Sequence, residues 1–173
     1  MITWLPVKSF VKSMEFLDTI TLDRQRIEAA MILEILIDQT FLPSSQLFIA
    51  PFNRRFIHWD KSPAVYMWRG YEEWLKLYLA CAIGEHKFRG RYSNIATPKY
   101  DTSLQEPPEW LGIEELHTSH RSNLIRRLPT HYLKLWPEEV LELPYYWPQE
   151  RKDESLAQLD SERNTDDSNS VLD

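Results

Sequence analysis

The most ordered pattern along the chain is the stretch LDRQRIEAAMILEILI, Leu22 to Ile37. In it the polar residues Asp23, Arg24, Gln25 and Arg26 precede a run that is apolar at nearly every position from Ile27 onward. Apolar character all round a helix, rather than along one stripe, marks a helix covered on most sides. A central helix from Thr21 or Leu22 to about Asp38 is therefore expected. A second helix is punctuated at both ends: Ser62 suits its N-cap, Pro63 its first turn and Gly84 its C-terminal cap, with Val65, Trp68, Leu75, Leu79 and Ala82 at helical spacing between them. A third begins near Ile113 in GIEELHTSHRSNLIRRL and stops before Pro129, because the residue preceding a proline is disfavoured in helical geometry. Shorter helical pieces are expected in THYLKLW and PEEVLEL, separated by Pro137 and closed by Pro144.

The segments between these helices are long. Gln39 to Lys61 holds Pro43, Pro51 and no clear period, although it is rich in Phe48, Phe52, Phe56 and Trp59 and carries Arg54 and Arg55 side by side. Lys87, Arg89 and Arg91 form a basic turn with Gly90, and Ser93 to Pro108 reads as loop. The first ten residues, with Trp4, Leu5, Pro6 and Phe10, are too apolar for a loose tail and should pack onto the body. No strand pairs and no internal repeat are suggested. The pattern thus predicts an all-α, compact single-domain helical bundle with a central buried helix and long connections.

Composition changes this picture at one place. After LPYYWP the chain turns polar and acidic, and residues 149–173 hold eight acidic residues against three basic ones. Few apolar residues and high charge predict a disordered acidic tail, with a solvent-facing helix through ESLAQLDSER as the competing reading, and set the folded domain at residues 1–148. Because the tail accounts for most of the formal net charge of -6, the body sits near neutrality and has room for a basic face. The single cysteine, Cys81, cannot form an intrachain disulfide and lies in an apolar run, which suits packing in a reducing compartment. No apolar run approaches the length needed to span a bilayer, so a cytoplasmic monomer with no membrane partner is expected.

Two polar clusters could carry chemistry. On a helix Arg24 and Glu28 lie four apart on one face, with Gln25 three before Glu28. A carboxylate at the edge of a dry helix is either a structural anion held by its arginine or a group kept ready for charge that develops in a reaction, and spacing leaves both open. The second cluster is HTSHRS, where His117, His120 and Arg121 share a face and Arg126 and Arg127 extend the positive end toward a phosphate footprint. A solvated basic face, or histidines bonded to backbone carbonyls, fits that pattern equally well. His117 and His120 lack the glutamate of a protease zinc helix, Ser119 lacks the glycines of a hydrolase elbow, and four glycines in the whole chain leave no phosphate-cradling loop. No metal and no cofactor are expected.

Taken in order, TWLP, LDTITLDRQRIEAAMIL, SPAVYMWRGYEEWL, PPEWLGIEELHTSHRSNLIRRLPTHY and LPYYWP resemble a bacterial and phage family, the pyrimidine dimer DNA glycosylases of the endonuclease V type. The likeness spans most of Thr3 to Pro148 and is most specific at Leu17-Asp18, Leu22, Gln25 to Glu28, and His117 to Leu124. It implies an all-α domain in which an N-terminal α-amine and a helix-borne glutamate, falling on Glu28, perform base removal with coupled AP lyase cleavage. Because Ile2 is bulky and keeps the initiator in place, the implied nucleophile is the Met1 amine. An amine of ordinary pKa near 8 leaves roughly a tenth of itself neutral at pH 7, far more than a lysine does. Arg24, Gln25, Arg26, His117, His120, Arg121, Arg126 and Arg127 would then serve DNA binding, and the partner would be damaged or modified double-stranded DNA. The chain departs from the family at Ser62-Pro63, where members commonly carry His-Pro, and in its longer connection after the central helix. Two other functions fit the residues: a non-catalytic DNA-binding module with Arg24 and Glu28 as a structural pair, and an enzyme of the same fold acting on modified bases of phage DNA.

Overall fold

A computed structural model describes residues 1–37 and 61–148 of the chain; the expected tail disorder and the arginines of the long connection lie outside them. An extended segment leads into α1 (Phe10–Phe16), then α2 (Thr19–Ile37), α3 (Pro63–Trp68), α4 (Glu72–Phe88), a single 3₁₀ turn at Thr102–Leu104, α5 (Glu114–Arg127) and α6 (Pro129–Tyr132). Among the described residues there is no strand, and the architecture is all-α as the pattern predicts. No described helix is long and apolar enough to cross a membrane.

Each helix start has a local cause. Ser9 accepts the Lys12 N–H at 3.3 Å and opens α1. Asp18 takes the N–H groups of Ile20 and Thr21 at 3.0 and 3.1 Å and opens α2. Its other oxygen accepts the Tyr132 hydroxyl at 2.6 Å, which ties the start of α2 to α6. Burial works to raise the Asp18 carboxyl, but these hydrogen bonds from Thr21, Tyr132 and the Ile20 backbone outweigh it and hold the group below its ordinary value. Ser62 caps α3 with Pro63 behind it, as expected.

The core forms where α2 packs along α4. Leu22, Ala29, Ala30, Ile32 and Leu33 of α2 and Leu75, Tyr78, Leu79, Ala82 and Ile83 of α4 are buried. Removing such apolar surface from water, about 25 cal/mol per Å², is the main source of stability. Trp68 and Trp110 meet edge to face at 4.8 Å, and Phe10 sets its edge against Trp68, Trp74 and Tyr78. Trp4 and Leu5 are fully buried, so the first residues pack onto the body.

Three sequence expectations are corrected. The helix expected from Ser62 to Gly84 is two helices: the chain breaks at Arg69 to Tyr71, where Gly70 adopts φ +78°. Only glycine enters that left-handed region without strain. Gly84 does not end α4, which continues one turn to Phe88 and closes at Gly90, with φ +72° and its N–H donating to the Lys87 carbonyl at 2.8 Å. PEEVLEL forms no helix, and Glu142 within it takes φ +62°. The α1 helix was not anticipated. Its C-terminal end is held by Arg89, whose guanidinium donates to the carbonyls of Leu17, Met14 and Glu15 at 2.8, 3.0 and 3.1 Å. A cation there also complements the negative end of the helix dipole.

Candidate active site

The extended N-terminal segment is fixed residue by residue, and the side chains that fix it come from four helices, α2 to α5. The Ile2 N–H donates to Glu28 Oε2 at 2.9 Å, and the Ile2 carbonyl accepts from Gln25 Nε2 at 2.9 Å. Trp68 Nε1 donates to Thr3 Oγ1 at 2.9 Å. The Trp4 N–H donates to Gln25 Oε1 at 2.7 Å, and its carbonyl accepts the Tyr78 hydroxyl at 3.0 Å. The Leu5 N–H donates to His120 Nδ1 at 2.8 Å, while the Leu5 carbonyl lies 2.7 Å from His117 Nδ1. Finally Arg121 Nη1 donates to the Pro6 carbonyl at 2.9 Å. Five consecutive residues are thus held, and the backbone of each except Thr3 is bonded directly.

This arrangement brings Glu28 to the first residues of the chain. Three covalent bonds separate the Met1 nitrogen from the Ile2 nitrogen, a span of no more than about 4 Å. The Met1 amine therefore lies within about 7 Å of the Glu28 carboxylate oxygen that Ile2 contacts. Among the described residues the carboxylate's hydrogen bond goes to Ile2 and no ion pair joins it to Arg24, which is exposed on the same side of α2. Gln25, 1% exposed, is the hub. Its Oε1 also accepts the Tyr78 hydroxyl at 2.5 Å. Burial, with the Glu28 charge nearby, pushes that hydroxyl well above its ordinary pKa of 10, so it remains a donor.

The histidines have partners inside the protein. His117 and His120 are 2% and 0% exposed, and between them they satisfy both backbone groups of Leu5. Accepting at Nδ1 requires His120 to be neutral with its proton on Nε2. Complete burial, with His117 beside it, lowers its pKa from 6.5 to about 3, consistent with that state. Burial lowers His117 as well, against the raising effect of the Leu5 carbonyl. Arg121 pairs with Glu139 and Glu114 in addition to Pro6. These three side chains share the expected face of α5, and that face is turned to the N-terminal segment.

Three predicted arginines are elsewhere. Arg126 and Arg127 are exposed at the end of α5, six and seven residues beyond His120 and so about 9 to 10 Å farther along the axis. Arg126 donates to Asn123 Oδ1 at 2.6 Å. Arg26 is buried on another side of α2, where Nη1 donates to Ser93 Oγ at 2.8 Å and burial lowers its pKa despite Asp23. Beside it Asp23 meets His86 and Arg91, each at 2.8 Å. Burial and the Arg26 charge keep His86 below its ordinary value against the pull of Asp23.

Sequence reasoning missed Thr3, Trp68 and Tyr78 as parts of this construction. Tyr78 and Trp68 stand in apolar helical faces, where an aromatic reads as core, and nothing local shows what their polar atoms reach. Among the described residues no three His, Cys, Asp or Glu side chains converge as a metal would require. The site sets the chain's first residue within about 7 Å of a carboxylate, at the end of an extended segment held by hydrogen bonds. A family model described as pyrimidine dimer DNA glycosylase matches residues 1–99, more than half of the 173. No curated protein and no solved structure matches the chain.

Proposed function

The chain belongs to the pyrimidine dimer DNA glycosylase family, and on that premise we propose that it removes a damaged base from duplex DNA and then cleaves the strand, with the Met1 amine as nucleophile and Glu28 as its partner. The observation that carries this reading is the Glu28 to Ile2 hydrogen bond of 2.9 Å, which holds a carboxylate against the chain's first peptide. The neutral amine attacks C1′ of the deoxyribose, the glycosidic bond breaks, and the base leaves with the bonding electron pair and takes up a proton. The resulting sugar-amine adduct opens to a protonated imine whose positive charge faces Glu28. A fixed carboxylate stabilises that cation without reorganising, since its position is set before substrate arrives. Loss of a proton from C2′, with Glu28 as acceptor, then expels the 3′ phosphate and cuts the strand. Hydrolysis of the imine regenerates the amine.

The other side chains act through the N-terminal segment. Gln25, Tyr78, His117, His120 and Arg121 are positioning residues: they fix residues 2 to 6 so that the amine is held near the carboxylate and not left on a free tail. Arg24, exposed one turn before Glu28, is the phosphate contact nearest the reaction. Supporting a substrate rather than a purely structural role, the Glu28 carboxylate is only half-buried.

One experiment separates this reading from a non-catalytic DNA-binding module, in which the same hydrogen bond would only hold the N-terminus. Ultraviolet-irradiated and abasic duplexes are incubated with the protein and trapped with borohydride. A covalent adduct is expected with the wild type, none with a chemically blocked N-terminus, and a rate about 10²- to 10³-fold lower with Glu28→Gln. An adduct that survives blocking of the amine, or no adduct on either DNA, overturns the mechanism.

A further inference from the structure

The two most exposed large hydrophobic side chains among the described residues stand on one turn. Phe88 is 86% and Tyr92 is 87% exposed, while nearly every other aromatic ring in this part of the chain is packed. They flank the left-handed turn at Gly90 that closes α4, and the exposed Lys87 and Arg91 alternate with them in the order Lys87, Phe88, Arg89, Gly90, Arg91, Tyr92. Leaving two rings in water gains nothing for folding, since burying a ring of that size is favourable.

The turn is tied by hydrogen bonds to the end of α1 and to the start of α2. The Arg91 N–H closes onto the His86 carbonyl at 3.2 Å, Arg89 is bonded to Glu85 and to three carbonyls at the end of α1, and Arg91 reaches Asp23 of α2. Arg89 is thereby committed to the fold. Arg91 pairs through one nitrogen and remains 46% exposed. On the α2 wheel the exposed residues Ile20 and Arg24 form a stripe, with Asp23 on one flank and Glu28 on the other. Asp23 and Glu28 are five residues apart, about 7.5 Å of rise and about 140° of rotation on α2, with Arg24 and Ile20 on the solvent-facing arc between them. The solvent-facing arc of α2 therefore carries Glu28, Arg24 and Ile20 in turn and ends at Asp23, to which Arg91 of the turn is bound. The nearby carboxylates Asp23 and Glu85 are already paired with Arg91 and Arg89, so the turn presents cations and rings.

Resting on the reading that the substrate is duplex DNA, we propose that the turn from Lys87 to Tyr92 is a second DNA-contact element, in which Phe88 and Tyr92 pack against base faces opened beside the lesion while Lys87 and Arg91 hold flanking phosphates. Base removal requires the target nucleotide to leave the stack, and apolar side chains inserted at the vacated or kinked step offset that cost. Phosphate contacts from the same turn fix where the rings enter. The chemistry asks for rings that are exposed before DNA arrives, on a turn hydrogen-bonded to the body, and both conditions hold here.

The test uses the full chain and a duplex carrying a stable abasic-site analogue with 2-aminopurine beside it, whose fluorescence rises on unstacking. Phe88→Ala and Tyr92→Ala should each weaken binding about 5- to 100-fold and lower the fluorescence rise, with an unchanged salt slope. Lys87→Ala should instead reduce the slope of log affinity against log salt by about one. Circular dichroism and the melting temperature of each variant should match the wild type, since the replaced groups lie in solvent. If the wild type binds the duplex and the double variant Phe88→Ala/Tyr92→Ala binds within twofold with the same fluorescence, the turn has no such role and the glycosylase reading stands. If the wild type binds no duplex at all, both fall together.

Discussion

At the scale of single residues, His120 shows how far a side chain's work can lie from its sequence neighbours. Its Nδ1 accepts from Leu5, 115 positions away, and the ring packs edge-on against Trp4 at 5.6 Å. The folded pKa of about 3 lies below the 6.5 of an unfolded histidine, so on acidification the unfolded chain takes the proton first. Stability is then complete above about pH 6.5, falls by about 1.4 kcal/mol per pH unit as pH drops toward 3, and levels below that. His120→Asn keeps an acceptor where Nδ1 stands but cannot titrate. Urea denaturation between pH 4 and 7 should show a lower starting stability and a slope reduced by one proton; an unaltered slope would place the acid sensitivity elsewhere. His86 and His117, also lowered mainly by burial, and the carboxyls of Asp18, Glu73 and Glu114, held below their ordinary values, contribute to what slope remains. The sequence placed His117, His120 and Arg121 on one face and offered backbone-bonded histidines as an alternative to a phosphate footprint. It could not decide, because the partner backbone is remote in the chain. Glu28 was legible as an isolated carboxylate at the mouth of an apolar helix, whereas its bond to Ile2, 26 residues away, was not.

At the scale of elements, the long helices were legible where the hydrophobic pattern is strong and the ends carry their own signals. The third predicted helix ends before Pro129 as expected, and Ser62-Pro63 opens α3. The break at Gly70 was hidden because Val65, Trp68, Leu75 and Leu79 stay in helical register across it, so periodicity alone joins two helices into one. Gly84 misled for the opposite reason: a glycine in a helix interior costs only about 1 kcal/mol, and continued packing of His86 carries α4 past it. The N-terminal segment had no pattern to read, since its partners are side chains rather than a repeating face. Gln25 couples that segment to α2 and α4 through three hydrogen bonds at 2.5 to 2.9 Å. Gln25→Ala leaves the Trp4 N–H and the Ile2 carbonyl without partners in a dry interior, at about 1 to 3 kcal/mol for each group. Urea melts should show a loss of about 2 to 6 kcal/mol, and single-turnover imine trapping should fall more than duplex affinity, because the amine is misplaced while the DNA-facing cations are not. Equal losses in trapping and affinity would mean that Gln25 supports the whole surface rather than the amine.

At the scale of the whole molecule, charge is the property that opposes the proposed substrate. The formal net charge is -6, yet residues 149–173 contribute eight acidic and three basic residues, so the rest of the chain carries only -1. A near-neutral body can display the exposed Arg24, Lys87 and Arg91, and a separate acidic stretch then competes with phosphates for the same cations. Removing residues 149–173 should raise association with duplex DNA several-fold at 50 mM salt, and the gain should vanish by about 0.3 M, where the Debye length is about 6 Å and opposing charges no longer sense each other at range. Replacing the eight acidic residues of the tail by Asn and Gln should reproduce the truncation, because charge rather than length is the cause. Single-turnover cleavage at saturating DNA should be the same in all three proteins, since the tail acts on encounter and not on the imine. A truncated chain that binds no faster than the full one at low salt, or a neutralised tail that behaves like the acidic one, would show that the stretch does not screen the cationic surface.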